Sequence, residues 1–173
     1  IEVLRAVGEF VPENGPLFRV RGGEPDPARL HRAVRLDEER TPDEDTGFGL
    51  RQLVDIALRA LSPGVNDPTT AVQVLDQLHD LLRRLATRPL PGQVRVDGAG
   101  RCLVLVPAPG FPEYLDLAVT EIRRWGGEDD RIRARVPALL RDVHSAARPE
   151  HRDALARQIA AWGGVPAPVA VAA

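Results

Sequence analysis

The chain has no lysine and no methionine, a single cysteine, seven aromatic residues of the Phe, Tyr and Trp types, and no long apolar run. Each shortage excludes something. Without lysine there is nothing to which biotin or lipoate could be attached, so a covalent carrier is ruled out. One cysteine, Cys102, cannot close an internal disulfide and leaves the redox compartment open. Nowhere do the ~18 consecutive apolar residues of a membrane helix occur, and no signal-peptide pattern is present. The scarcity of aromatics calls for a core of Leu, Val, Ile and Ala. Ile1 already sits in a strand-like pattern, as expected of a domain excised from a longer parent.

All 23 basic residues are arginine, set against 25 acidic ones for a formal net charge of −2. Nucleic-acid readers show a basic excess or a basic stripe. Here arginines and acids are interleaved, so the phosphate attraction that dominates such binding has no source. The length suits one ordinary domain or two small ones.

The expected fold class is α+β: a mainly helical domain of about five helices, an N-terminal β-hairpin unit and a second β-hairpin. The strand-like segments Ile1 to Val7 and Leu17 to Arg21 flank a turn around Asn14-Gly15. Gly8-Glu9-Phe10-Val11 with Leu17 resembles the hairpin of barrel-sandwich domains. A short helix is expected from Pro27 to Val34, then an extended or strand segment from Arg35 to Glu39. Thr41-Pro42-Asp43-Glu44 has the form of a capping box, with a break at Gly47 or Gly49 and a long helix onward to Leu61. Its polar side, Arg51, Asp55 and Arg59, repeats every four residues and predicts a salt-bridge ladder.

Asp67 and Pro68 open a second long helix to Thr87, with Ala71, Val74, Leu75, Leu78, Leu82 and Leu85 as its core stripe. Val94 to Asp97 and Arg101 to Val106 predict a hairpin around Asp97-Gly98-Ala99-Gly100. Helices follow from Pro112, with Trp125 on its apolar face, from Asp130 to Ala146 with a kink or restart at Pro137, and from Pro149 to Trp162. The expected domains are 1–40 (β-rich), 41–163 (helical) and a flexible tail, 164–173.

No recognisable catalytic constellation is present, and neither a cofactor nor a metal is expected. Asp43-x-Asp45-x-Gly47 begins like a calcium loop, but its twelfth position is Val54 where a bidentate Glu is required. His31, His79, His144 and His151 lack zinc spacing and read as surface or boundary residues. Cys102, inside Cys-Leu-Val-Leu-Val, reads as a small buried hydrophobe. Phosphate-loop, dinucleotide and nucleophile-elbow motifs are missing. The turn Ser62 to Thr70 is the richest polar segment. Helix termination and capping explain most of it, while free amides at a helix start could hold an anion.

Longer stretches carry a family resemblance: Val7-Gly8-Glu9-Phe10-Val11, Gly15-Pro16-Leu17, Arg40-Thr41 with Asp45, Phe48 through Ala57, Ala60 through Ala71, Tyr114-Leu115-Asp116 and Ile122-Arg123-Arg124. In these the chain resembles a bacterial family of predicted membrane proteins, the domain of unknown function 2254 family. The resemblance implies N-terminal membrane helices followed by a soluble region, and brings no established activity. It would put this domain in the cytoplasm, tied to the membrane through its parent.

The expectation is thus an extramembrane domain with a structural, assembly or regulatory task. Its partners would be the membrane part of the same parent chain and, optionally, further copies of itself. The alternative is a small-ligand sensor or enzyme with a ligand-binding site drawn from Arg40, Asp45, Arg51, Asp55, Ser62, Asn66, Asp67, Thr69 and Thr70.

Overall fold

Helix capping decides where the first long helix begins, and it does not begin at Thr41. In the computed structural model, which describes residues 1–163 and of Cys102 only the backbone, Thr41 to Glu44 form a non-helical turn. Glu44 is drawn off by Arg35, whose Nη1 donates to it at 3.0 Å. Asp45 takes the capping position instead, its Oδ1 accepting the Phe48 amide at 3.0 Å, so helix α2 spans Thr46–Leu61. Asp caps as well as Thr does. The helix runs through Gly47 and Gly49 without a break.

Before it come the two-residue strands β1 (Glu2–Val3) and β2 (Phe18–Arg19) and the short helix α1 (Pro27–Arg32). The strands are far shorter than the pattern suggests, and Arg35 to Glu39 form none. Asn14 has φ +58°, a left-handed conformation that Asn adopts more readily than most residues.

Helix α3 (Pro68–Ala86) follows, then β3 (Val94–Val96), β4 (Cys102–Leu105), α4 (Phe111–Gly126), α5 (Asp130–Ala146) and α6 (Pro149–Ala161). Strand order is β2-β1-β4-β3. β1 is antiparallel to β2 and parallel to β4, with Glu2 opposite Leu105, while β3 is antiparallel to β4 with an irregularity between Arg95 and Val96. The second hairpin therefore joins the first in one sheet. A single four-stranded sheet lends no support to the barrel-sandwich likeness.

The chain forms two units. One comprises Ile1–Phe48 and Pro91–Ala108, and the other Gly49–Leu90 with the chain from Pro109 onward. The second is the helical unit, and among the described residues every member of the buried hydrophobic core lies in it. Leu50, Leu75, Leu78, Leu82, Leu115, Ile122 and Leu139 are among its largest aliphatic members. The α3 stripe faces this core as expected, with Leu85 packed against it but only half-buried.

Three details differ from expectation. Trp125, at the end of α4, is 62 % exposed, while the next residue, Gly126, takes the buried place against Leu61 and Ile132. The helix does not restart at Pro137, which lies inside a continuous α5. His151 is buried, stacked on the Phe111 ring at 4.7 Å, so the imidazole serves as a flat core side chain. The tail from Gly164 to Ala173 lies outside the described residues. Among those that are described, no helix is long and apolar enough to cross a membrane.

Candidate functional site

In the sheet-bearing unit the chain turns back at Gly8, where φ is +79°. This turn exposes the glycine backbone to the Arg40–Asp45 pair. A Cβ on Gly8 would collide with the Asp45 carboxylate and stand 2.5 Å from Arg40 Nε. Arg40 donates from Nε and Nη2 to Asp45 Oδ2 at 2.9 and 2.6 Å. Its guanidinium also lies 4.9 Å from the centre of the Phe48 ring, within cation–π range.

Asp45 is only 9 % exposed, and its two oxygens are divided between Arg40 and the α2 amide. Beside this pair lies a groove of about 520 Å³ whose walls include Arg5, Phe10, Leu17, Leu36 and Glu44. Arg5 donates to Glu9 at 2.7 Å. The Ala6 amide, with help from Arg5, holds the Glu9 carboxyl below its usual range.

In the helical unit Arg51 meets Asp55 on α2, as the four-residue spacing predicts, and also Glu121 on α4. The two carboxylates, Asp55 first, raise the already high basicity of Arg51. This triad braces α2 to α4. Asp55 and Glu121 are half-open to solvent, so the brace adds little free energy. Arg59, the third member of the expected ladder, stays exposed.

The turn from Ser62 to Thr70 closes on its own backbone. Ser62 Oγ donates to the Arg59 carbonyl at 2.7 Å, and the Asn66 and Asp67 amides donate to Ser62 and Ala60 carbonyls, each at 2.8 Å. Asn66 is left-handed at φ +47°. Asp67 caps α3, accepting from the Thr70 amide at 3.1 Å and the Thr70 hydroxyl at 2.5 Å. Thr69 Oγ1 accepts a 3.4 Å bond from Arg131 of α5. The Thr70 hydroxyl, then its amide, keep the Asp67 carboxyl below the ordinary range.

The predicted residues thus fall into three groups: Arg40 with Asp45, Arg51 with Asp55, and the Ser62–Thr70 turn. About 16 Å of helix separates Arg51 from Ser62, and no hydrogen bond among the described residues joins one group to another. Sequence reasoning missed Gly8 as the seat of the first group, although it stands in the Val7–Val11 motif. It also missed Glu121, which pairs across 70 positions and leaves no local signal. No group of three or more His, Cys, Asp or Glu residues able to hold a metal occurs among the described residues.

The capping role of Asp67 has a pH signature. A depressed folded-state pKa stabilises above the unfolded value of about 3.9 and is lost as pH falls through the lower folded value. Asp67→Ala should therefore lower the melting temperature by a constant amount from neutral pH down to about pH 5. The gap to the unmodified protein should close below about pH 4 in thermal melts.

Fold and site define a mainly helical α+β domain whose polar residues are engaged chiefly in capping and bracing. The chain belongs to the family described as "Predicted membrane protein (DUF2254)", whose model matches residues 1–142. It is similar to uncharacterized proteins of Mycobacterium bovis and of two Mycobacterium tuberculosis strains, at 44 % identity over 135 residues, covering 78 % of this chain and 26 % of each relative. The chain spans about a quarter of the length of these relatives. No solved structure matches it.

Proposed function

We propose that this is the extramembrane domain of an integral membrane protein, and that it serves assembly with the membrane part of the same polypeptide in preference to chemistry. The carrying observation is the contrast between the two units. Among the described residues the sheet-bearing unit contributes no side chain to the buried core, yet it carries Phe10 at 82 %, Val7 and Leu36 at 64 %, Val96 at 57 % and Leu103 at 50 % exposure. Val94 and Leu105, opposite one another on β3 and β4, are also open.

Apolar surface gathered in this way marks an interaction site. The membrane part is the favoured occupant because relatives of this family carry some three-quarters of their length outside the matched region. A partner on the same chain also acts at high effective concentration. The candidate polar residues support the same reading, since the arginines and aspartates are paired and the turn hydroxyls bonded.

The test compares amide hydrogen exchange of β3 and β4 in the full-length parent, in membranes, with that in the 173-residue chain. The parent should fractionate with membranes and exchange at least tenfold more slowly over Val94–Leu105. Equal rates would refute assembly through this surface. Concentration-dependent protection in the short chain would reassign the surface to a second copy.

One observation favours a second reading, a small-ligand sensor. The groove beside Gly8, Arg40 and Asp45 combines apolar walls with ionised groups, the usual composition of a ligand pocket. A metabolite panel that raises the melting temperature of the chain, and fails to raise that of Asp45→Asn, would promote this reading over assembly.

A further inference from the structure

A polar seam runs along α3 and α5 in the helical unit. Arg131 reaches Thr69 at its start, and Arg135 Nε donates to Asp76 at 2.8 Å. Arg135 Nη2 lies 2.9 Å from His79 Nδ1, and His79 Nε2 lies 2.7 Å from Asp142 Oδ2. Arg83 donates to that same oxygen at 2.6 Å. Just past α5 the Arg148 amide donates to the Ala86 carbonyl at 3.0 Å. Residue numbers rise together on both sides, so the two helices run parallel.

The donor pattern fixes the state of the ring. A guanidinium can only donate. Nδ1 must accept from Arg135, which puts the imidazole proton on Nε2, aimed at the Asp142 carboxylate. A proton added at Nδ1 would face a donor that cannot reverse its role.

We propose that His79 is a proton-responsive coupler in the α3–α5 seam: neutral, it ties Arg135 to Asp142, and protonated, it expels Arg135 from the ring. Arg135 is then left on Asp76 alone, while the His79–Asp142 contact becomes an ion pair. The added proton comes from solvent, which reaches the ring because its side chain is 23 % exposed.

The charged groups that face it are Asp76 and Arg83 from α3, and Arg135 and Asp142 from α5. Nearby charges are otherwise engaged. Asp80 pairs with Arg84 at 2.8 Å, and on α4, which also packs on α3, Glu121 is held by Arg51 and Asp116 by Gln158. Histidine is the side chain whose charge ordinarily changes between pH 5 and 8. The seam begins at Thr69, so the coupler acts a few turns beyond the start of α3, where the family motif ends. It stands independently of the assembly reading.

Long-range nitrogen NMR of the histidine rings in the 173-residue chain tests the first step directly. At pH 8 the His79 ring should be the Nε2–H tautomer, and an Nδ1–H tautomer would overturn the proposal. Double-mutant cycles in urea test the second, with His79→Ala combined in turn with Arg135→Met and Asp142→Asn. The His79–Arg135 coupling should be about fivefold in the unfolding constant at pH 8 and absent at pH 5. The His79–Asp142 coupling should grow over the same interval. Couplings that do not change with pH would refute the switch. Should a variant fail to fold, the same nitrogen spectra of the unmodified chain followed from pH 8 to pH 5 decide: the Arg135 guanidinium signals should move together with His79 Nδ1, and Arg135 signals that stay in place would refute the switch.

Discussion

Replacing Gly8 by alanine should loosen the whole four-stranded sheet. Two costs add. An L-residue held at φ +79° pays roughly 1–2 kcal/mol of backbone strain. The new methyl also occupies the place of the Asp45 carboxylate and presses on Arg40 Nε and Cζ at 2.5 and 2.8 Å. Since these atoms form the Arg40–Asp45 pair, charge-assisted hydrogen bonds worth about 1.5–3 kcal/mol are disturbed. Arg40 is 42 % exposed on its side chain, so solvent screening favours the lower end, and the sum is about 2–3 kcal/mol.

Gly22 supplies the control. It has φ +72°, and a methyl carbon added there would meet nothing within 4 Å, so Gly22→Ala carries the strain alone. Hydrogen exchange of the β1, β2 and β4 amides should accelerate at least tenfold more in Gly8→Ala than in Gly22→Ala. Equal acceleration would mean that the contact with Arg40 and Asp45 contributes nothing.

Two of the capping aspartates, Asp67 and Asp45, show what a sequence reveals about its own folding. Asp67 is legible because its cap is local: Asp-Pro-Thr-Thr precedes an unbroken core stripe, and the carboxylate bonds three residues ahead. Asp45 is masked by Thr41-Pro42-Asp43-Glu44, which is as good a capping box on paper. What decides between them is tertiary. Arg35 removes Glu44 from the box, while Gly8 and Arg40 hold Asp45 in place.

The β3–β4 hairpin shows the same division. Asp97 organises the turn through bonds to the Ala99 and Arg101 amides at 2.9 and 3.0 Å, and that is readable from the local pattern. The pairing of β4 with β1, about a hundred positions away, is not. His151 reads as a boundary residue because nothing in its own helix shows that the Phe111 ring arrives against it.

The candidate residues follow this pattern as well. Polar content draws attention to Ser62–Thr70, yet local backbone bonds absorb most of it. Arg40 and Asp45 gain significance only when a glycine more than thirty positions earlier comes to rest against them. Family motifs here identify positions that the fold needs, while the surfaces that remain uncommitted, Phe10, Leu36 and the β3–β4 face, lie partly outside those motifs.

Leu139→Ala should be the most damaging of these substitutions in the helical unit. Leu139 is fully buried on α5, the helix that packs against both α3 and α6. Removing three of its carbons forfeits transfer free energy and leaves a cavity, because helices pinned on both flanks cannot collapse into it. Such changes cost about 2–5 kcal/mol. The upper half of that range is expected, since Arg135, Arg83 and Arg148 clamp the α3–α5 seam at several points. A loss of ~4 kcal/mol would lower the melting temperature by roughly 15–20 °C for a unit of this size. Leu139→Met conserves volume and should cost less than about 1.5 kcal/mol. If alanine and methionine proved equally mild in urea unfolding, α5 would not be packed as tightly as its burial indicates, and the seam that holds His79 in register would lose its rigid support.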